Sequence, residues 1–107
     1  LLFIQQDRVP TAIFAQNDRM AMGVMHAARD VNLKVPSQLA VIGVDDMPLS
    51  SYFDPPLTTM RQDMPLIGKE ASRILLDIIQ KKNTTLREVK LSAQLVERQS
   101  TSNRGGD

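Results

Sequence analysis

Two short apolar runs, separated by a segment with helical periodicity, are the feature that most constrains the fold of this chain. Residues 11–15 (TAIFA) and 39–44 (LAVIGV) have strand length, and such continuous apolar runs are typical of strands buried on both faces. Between them, apolar residues recur at helical spacing from Asn17 to about Asn32, and Asn17 and Asp18 are both favourable N-cap residues. This order predicts a βαβ unit, in which the two strands are parallel.

Two apolar stripes are predicted on adjacent faces of this helix. The stripe expected to face the core consists of Met20, Val24, Ala27 or Ala28, and Val31. The second stripe consists of Met22, Met25 and His26. A helix that is apolar on two faces must bury both, so the second stripe predicts either packing within the subunit or a subunit interface, and we favour the interface. Tyr52 and Phe53, in the irregular segment 47–56, could extend the same patch.

The remaining pattern adds two strands and completes an α/β fold. Residues 57–61 predict a third strand, and the alternation of apolar and polar residues over 89–95 predicts a half-buried strand near a sheet edge. A short helical turn is expected around residues 50–53, and residues 1–8 resemble the tail of a helix. We therefore expect a three-layer α/β/α arrangement around a mainly parallel sheet.

A second helix is predicted between these two strands. Asp63 is its candidate N-cap, Pro65 is tolerated in its first turn, and the helix is expected to run to about Lys82, before a break at 83–85. Its buried side is expected to contain Ile67, Ala71, Ile74 or Leu75, and Ile78.

Composition excludes several classes of function. The chain has 13 basic and 12 acidic side chains, which is not the strongly basic balance of a nucleic-acid-binding domain. It has no cysteine and a single histidine, His26, so neither a disulfide framework nor a His-rich metal site is expected. No apolar run approaches the length of a membrane span and no signal peptide is recognisable, so we expect a cytoplasmic protein without membrane contact. Because the first residue is Leu1 rather than Met, we expect further sequence upstream.

Polar pairs follow each of the three predicted central strands. These pairs are Asn17-Asp18, Asp45-Asp46 and Gln62-Asp63. The carboxyl ends of parallel strands share one sheet edge, where open α/β folds bind ligands. Carboxylates accept hydrogen bonds and amides both donate and accept, which suits a ligand with several hydroxyls or a nitrogenous ring.

The alternative explanation is purely structural. Asn17, Asp18 and Asp63 could be only helix caps, and Asp46 only a loop residue, whereas the position of Asp45 directly after a strand is harder to explain by solvation alone. Adjacent carboxylates on an extended segment point apart, so Asp45 and Asp46 do not suit a shared catalytic role. No phosphate-binding loop or nucleophile motif is present, and we expect no catalytic residues, metal or cofactor.

Several segments together resemble the LacI/GalR family of bacterial transcription regulators. The residues that carry the resemblance are FAQNDRMAMG at 14–23, LKVP at 33–36, VIGVDD at 41–46, PPLTTMRQ at 55–62 and LVERQS at 95–100. The resemblance implies a periplasmic-binding-protein-like fold of type I, in which two α/β subdomains enclose a ligand. It also implies that residues 1–100 are the incomplete C-terminal subdomain. Residues 101–107 are polar and contain glycine, so we expect a flexible tail there.

The resemblance also implies roles for individual residues. Asn17, Asp45 and Gln62 match effector-contacting positions of the family. The residues that fall on its dimerisation surface are Met22, Met25, His26, Tyr52 and Phe53. Val44 stands where the family often has Tyr or Phe, and no aromatic platform for a sugar is recognisable, so the identity of the ligand stays open.

These implications predict an effector-sensing part of a homodimeric regulator, which would contact DNA only through an absent N-terminal helix-turn-helix. Two other functions stay open at this point. A periplasmic sugar-binding protein of a transport system would carry a signal peptide upstream, and an α/β enzyme such as a sugar kinase or hydrolase would show turnover that depends on Asp45.

Overall fold

A four-stranded sheet in the order β1-β2-β3-β4 organises the part of the chain that the computed structural model describes, which is residues 8–82 and 88–102. The strands are β1 (Ala12–Phe14), β2 (Ala40–Val44), β3 (Thr58–Arg61) and β4 (Gln94–Val96). The β1–β2 and β2–β3 pairs are parallel and the β3–β4 pair is antiparallel. The predicted βαβ unit and mainly parallel sheet are therefore confirmed.

The chain divides into two units. The first comprises Leu1–Arg61 and Gln94–Asp107 and so contains the whole sheet, while the second comprises Gln62–Ala93. The helix tail expected at residues 1–8, apart from Arg8, and the break expected at 83–85 lie outside the described residues. Within the described ranges, no helix is both long enough and apolar enough to span a bilayer.

Helix α1 (Asp18–Asp30) packs against β2 through a face different from the predicted one. Its buried residues are Asp18, Ala21, Met25 and Ala28, whereas Met20, expected in the core, is 53% exposed. The buried face is thus rotated by about one residue, or 100°. Two alanines on this face let the helix backbone approach the sheet closely, and the buried Asp18 is hydrogen-bonded there.

The hydrophobic core of the first unit is small and largely aliphatic. Its buried members are Ala15, Ala21, Met25, Ala28, Leu39, Val41 and Leu57. Strand β1 contributes Ile13, which is half-buried, but Phe14 is 64% exposed, so the prediction that both faces of β1 are buried was wrong. The reason is that β1 is the edge strand of the described sheet and only its Ile13 side packs against the core.

The segment after β4 is joined to β2 and β3 by hydrogen bonds rather than by apolar packing. The fully buried Ser100 hydroxyl donates to the Val41 carbonyl at 2.6 Å and accepts from the Thr58 amide at 2.8 Å. The Thr101 hydroxyl lies 2.7 Å from that of Thr58, and Thr101 is half-buried. Thr101 is therefore not part of a free tail as expected, and residues 103–107 lie outside the described residues.

A short 3₁₀ helix, Pro48–Tyr52, lies between β2 and β3, close to the helical turn predicted at 50–53. Its central residue Ser50 is fully buried. The Ser50 carbonyl accepts a hydrogen bond from the Leu57 amide at 2.9 Å, which joins this turn to the start of β3.

The second unit contains helix α2 (Met64–Ile79). The predicted cap is confirmed, because Asp63 Oδ1 accepts from the Leu66 amide at 3.0 Å, and Pro65 lies in the first turn. The predicted buried side is only partly buried: Ile67 and Ile74 are half-buried, whereas Ile78 is 58% exposed, and no residue of α2 is fully buried.

The strand predicted at 89–95 is also displaced. Within the second unit, Val89 and Leu91 join Ile67, Ala71 and Ile74 around a groove of about 320 Å³. Residues 89–93 are not in a strand, and the strand found is β4. An alternating segment needs a neighbouring strand to pair with, and the described residues of this unit provide none.

Candidate functional site

Two of the three predicted polar pairs lie along one edge of the sheet. Asn17 follows β1, and Asp45 directly follows Val44, the last residue of β2. The two strands are parallel neighbours, and the Ala15 amide still pairs with the Ile42 carbonyl at 2.8 Å just beyond β1. The prediction that these two positions share the carboxyl edge of a parallel sheet is confirmed, and this edge is where open α/β folds bind ligands.

Asn17 both caps α1 and keeps a hydrogen-bonding group available. Its side-chain Oδ1 accepts from the Met20 amide at 2.8 Å, so the capping interpretation holds for this residue. Its Nδ2 group is not used by the cap, since an N-cap needs only the oxygen. Asn17 therefore offers two N–H donors at the sheet edge.

Asp45 presents an exposed carboxylate from a strained turn. Its φ is 116° and that of Asp46 is 53°, so two consecutive non-glycine residues have positive φ. The Asp45 amide donates to the Met60 carbonyl at 2.9 Å, which anchors the backbone on β3. No hydrogen bond or ion pair joins the Asp45 carboxylate to any described residue. Strained backbone of this kind is concentrated at functional sites, where the surrounding structure maintains it.

Asp18 is a buried hydrogen-bond acceptor rather than the helix cap considered for it. The residue is fully buried, and its Oδ2 accepts from the Met47 amide at 2.9 Å and from the Ser50 hydroxyl at 2.5 Å. Its Oδ1 accepts from the Thr59 hydroxyl at 2.6 Å. One carboxylate thus joins the start of α1 to the segment after Asp45 and to β3.

Gly43 makes room for this carboxylate. A Cβ atom at Gly43 would overlap Asp18 Oδ1, and it would lie 3.2 Å from Asp18 Cα and 3.1 Å from Leu57 Cδ2. Since neither the Asp18 backbone nor the buried Leu57 can move freely, only glycine fits at this point of β2.

Asp46 is the centre of an ion-pair cluster and not merely the loop residue considered for it. Its Oδ2 accepts from Arg61 Nε at 2.6 Å and its Oδ1 from Arg98 Nη2 at 2.7 Å. The Asp46 side chain is only 9% exposed. Burial raises the pKa of Asp46, but the hydrogen bonds and charges of Arg98 and Arg61 outweigh it, so the pKa lies below its ordinary value of 3.8.

Substituting Asp46 by Asn is expected to flatten the acid side of the stability profile. Because the pKa of Asp46 is lower in the folded chain than its ordinary value of 3.8, its ionised form stabilises the fold above that value, and this contribution is lost as the pH falls through the folded-state pKa. Between about pH 7 and pH 3, the free energy of unfolding in urea should fall further in the unsubstituted chain than in Asp46→Asn.

The matched control for this experiment is Glu88→Gln. The Glu88 side chain is 77% exposed and lies 3.5 Å from Lys90 Nζ, so its substitution should change the free energy of unfolding little. Parallel profiles for Asp46→Asn and the unsubstituted chain would contradict the role assigned to the cluster.

Four of the five residues predicted at a dimer surface surround one small cavity. The cavity, of about 140 Å³, is lined by Met22, Met25, His26, Arg29, Phe53 and Asp54. The fifth residue, Tyr52, is 82% exposed, and Met22 is 48% exposed. Met25 departs from the expectation of an interface side chain, because at 8% exposure it belongs to the core of its own unit. Phe53 is half-buried against the same core.

Gln62 is exposed and is the first residue of the second unit. It directly follows Arg61, the end of β3, and its carbonyl accepts from the Met64 amide at 3.0 Å. Its assignment to an effector site stays a prediction from the sequence.

The residues that support the site were missed by sequence reasoning. Thr59 and Ser50 are fully buried hydroxyl donors to Asp18, and Arg98 pairs with Asp46 across 52 residues. The available signal was the run Thr58-Thr59 inside the predicted third strand, because hydroxyls that such a strand buries require partners. Among residues 8–82 and 88–102, no group of three His, Cys, Asp or Glu side chains could hold a metal ion.

The sequence of this chain is similar to a known protein family and to known transcriptional repressors. A family model described as periplasmic binding protein-like domain matches residues 2–101. The HTH-type transcriptional repressor PurR of Aliivibrio fischeri (strain ATCC 700601 / ES114) is 40% identical over 104 residues, which are 97% of this chain and 31% of that protein.

Two solved structures are similar to the chain over most of its length. The lac repressor dimer bound to operator and the anti-inducer ONPF has a TM-score of 0.84 and 36% identity, covering 94% of this chain and 35% of that one. The complex of the transcriptional regulator CelR with cellobiose has a TM-score of 0.84 and 31% identity, covering 92% and 30%. The chain thus spans about a third of the length of these relatives.

Proposed function

We propose that this chain, which belongs to the periplasmic binding protein-like domain family in the form carried by LacI-type transcription regulators, senses a small effector and dimerises. The observation that carries the proposal is the exposed carboxylate of Asp45, held at positive φ on the same sheet edge as Asn17. No catalytic step is part of the proposal. Relatives that are transcriptional repressors favour a regulator in the cytoplasm over a periplasmic transport protein.

The chemistry of the two side chains defines the class of effector. The Asp45 carboxylate accepts hydrogen bonds and the Asn17 Nδ2 group donates them, so together they suit neighbouring hydroxyls of a sugar or the N–H and acceptor groups of a nucleobase. A hydrogen bond to a charged group contributes more to binding than a neutral one, and an apolar analogue would leave Asp45 unpaired. The cellobiose complex of CelR supports a sugar-like effector for at least one relative.

The proposed dimer surface contains the exposed side chains around the small cavity described above. Of the residues that line the cavity, Met22 is an exposed apolar group and His26 an exposed polar group. Tyr52 does not line the cavity, but it is exposed and precedes the lining residue Phe53 in the chain. Large exposed apolar side chains grouped on one surface mark association sites. The lac repressor relative is described as a dimer, which supports the same assembly here.

Regulation would follow from coupling between effector binding and subunit geometry. An effector that binds one arrangement of the regulator better than another shifts the population toward it, and DNA modules encoded elsewhere in the protein would respond. This chain supplies the sensing and dimerising parts and contacts DNA only through such modules.

Replacing Asp45 by Asn is the direct test. We expect calorimetric titration of the full-length protein with monosaccharides, disaccharides and nucleobases to identify a ligand, and Asp45→Asn to weaken its binding by about tenfold or more, because a charge-assisted hydrogen bond contributes about 1.5–3 kcal/mol. Asn also tolerates positive φ, so the stability of the fold should change little.

Glu88→Gln serves as the control, since Glu88 is exposed and belongs neither to the candidate site nor to the proposed dimer surface. The unsubstituted full-length protein should sediment as a dimer at tens of micromolar. Equal ligand affinity in Asp45→Asn and the unsubstituted protein, absence of any binder, or turnover of one would count against the proposal.

A further inference from the structure

We propose that Arg98 is the positioning residue for Asp45, because it joins Asp46 to the carbonyl of Leu57, the residue before β3, and so holds the Asp45-Asp46 turn in the conformation that presents the Asp45 carboxylate. This inference deepens the proposed function and rests on it. It assigns a role in ligand binding to a residue that lies 52 positions from Asp46 in sequence and whose two Nη groups are both engaged within the protein.

The turn requires an external constraint. Positive φ at a non-glycine residue costs free energy, and Asp45 at 116° lies outside the left-handed helical region that Asp tolerates best. The amide hydrogen bond of Asp45 to Met60 fixes the start of the turn at 2.9 Å. Beyond the turn, the Met47 amide donates to the buried Asp18 at 2.9 Å. Asp45 and Asp46 lie between these two anchors, so the groups that hold the Asp46 side chain determine the direction of Asp45.

Arg98 holds Asp46 with both sides of its guanidinium group in use. Nη2 donates to Asp46 Oδ1 at 2.7 Å, and Nη1 donates to the Leu57 carbonyl at 2.9 Å. The Arg98 backbone is itself fixed, because its amide donates to Thr58 Oγ1 at 2.8 Å and its carbonyl accepts from the same hydroxyl at 3.0 Å. The planar guanidinium thus spans a fixed distance between the turn and the residue that precedes β3.

Arg61 contacts the same carboxylate but is less suited to position it. The Arg61 side chain is 52% exposed, whereas that of Arg98 is 18% exposed. Solvent screens exposed ion pairs and long exposed side chains change rotamer, so their contribution is small. Among the described residues, one further hydrogen bond restrains Asp46, from its amide to Thr59 Oγ1, and at 3.2 Å it is the longest of the set.

The test compares Arg98→Lys with the matched control Arg61→Lys in the full-length protein. Lysine keeps the charge but has one nitrogen, so it cannot contact Asp46 and the Leu57 carbonyl with the same planar geometry. A residue with positive φ has a short distance between its amide and α protons, which gives a strong intraresidue NOE. We expect Arg98→Lys to lose the strong NOE at Asp45, and Arg61→Lys to retain it.

The binding arm uses whichever sugar or nucleobase the titration panel identifies. Its affinity should fall about tenfold in Arg98→Lys and stay within about twofold in Arg61→Lys, because loss of a supporting residue loosens the residue that touches the ligand. Asp46→Asn, which keeps the side-chain shape, should reproduce the loss of the NOE and decides the question if Arg98→Lys does not fold.

Each outcome separates this inference from the proposed function. A folded Arg98→Lys protein that retains the NOE at Asp45 overturns the inference, and so does one that loses the NOE yet binds with unchanged affinity. If the NOE is lost but no probe binds even the unsubstituted protein, Arg98 still holds the turn and the proposed function fails instead.

Discussion

Replacing Asp18 by alanine is expected to lower the free energy of unfolding by about 3–5 kcal/mol, the largest effect of any single substitution considered for this chain. The Asp18 carboxylate is fully buried and accepts from the Met47 amide and from the hydroxyls of Ser50 and Thr59. Alanine would leave all three donors inside the protein without this acceptor. A buried donor that loses its partner costs about 1–3 kcal/mol, and rotation of the hydroxyls recovers only part of this.

Urea unfolding monitored by circular dichroism measures this effect, with Asp30→Ala as the matched control. Asp30 lies on the same helix, its side chain is 65% exposed, and its distance to His26 is 3.9 Å, so its removal should change stability by less than about 0.5 kcal/mol. Asp18→Asn is a second variant that keeps the size of the side chain while replacing one acceptor by a donor that faces other donors. If Asp18→Ala unfolds at the same urea concentration as Asp30→Ala, the buried hydrogen bonds to Asp18 do not stabilise the fold as proposed.

Gly43→Ala should destabilise the chain by about 2–4 kcal/mol, because overpacking at a rigid point forces backbone to move. The added methyl group would overlap Asp18 Oδ1 and crowd both the Asp18 backbone and Leu57. Gly23→Ala is the matched control, since a Cβ at Gly23, within α1, meets nothing within 4 Å. There alanine should stabilise the helix by about 0.5–1 kcal/mol, so the two substitutions have opposite signs.

The double variant Asp18→Ala/Gly43→Ala links the two predictions. If the Gly43 methyl group conflicts mainly with the Asp18 carboxylate, it should cost less when that carboxylate is absent, which gives a coupling energy of about 1 kcal/mol or more. Additive effects would mean that the conflict lies with Leu57 or with the Asp18 backbone. A stabilising Gly43→Ala would contradict the close approach altogether.

The parts of the fold that depend on local patterns were predictable from the sequence. The runs at 11–15 and 39–44, with capping residues between them, predicted a parallel βαβ unit, and Asp63 with Pro65 predicted the start of α2. Capping and strand length depend on neighbours a few residues away, so short segments of sequence are enough to predict them.

The rotation of α1 could not be predicted in the same way. Apolar periodicity favoured Met20 for the core, and the structure buries Asp18 and Ala21 instead. A charged residue can be predicted on a buried face only when its hydrogen-bond partners are known. The partners of Asp18 are Met47, Ser50 and Thr59, which lie 29 to 41 residues away. Hydrogen bonds between distant segments produce no periodic pattern in the local sequence, so they cannot be predicted from it.

The same limit applies to the candidate site. Asn17 and Asp45 could be predicted because each follows a predicted strand. The ion pair of Asp46 with Arg98 could not, because it depends on the pairing of β4 with β3, which brings the segment that contains Arg98 close to Asp46. The exposed apolar side chains of α2 were also beyond prediction, because amphipathic periodicity shows which face could be buried and not whether a partner for it is present.

The pairing of β3 with β4 has a topological consequence for residues 62–93. Arg61, where the chain leaves the sheet, is the cross-strand partner of Gln94, where it returns. Such partners lie about 4.5–5.5 Å apart, a gap that a two-residue reverse turn can close. In the connectivity of the chain, the second unit is therefore an insertion between the two strands of a β-hairpin. The pairing of β3 with β4 requires only that the two ends of this insertion stay side by side, whatever its length.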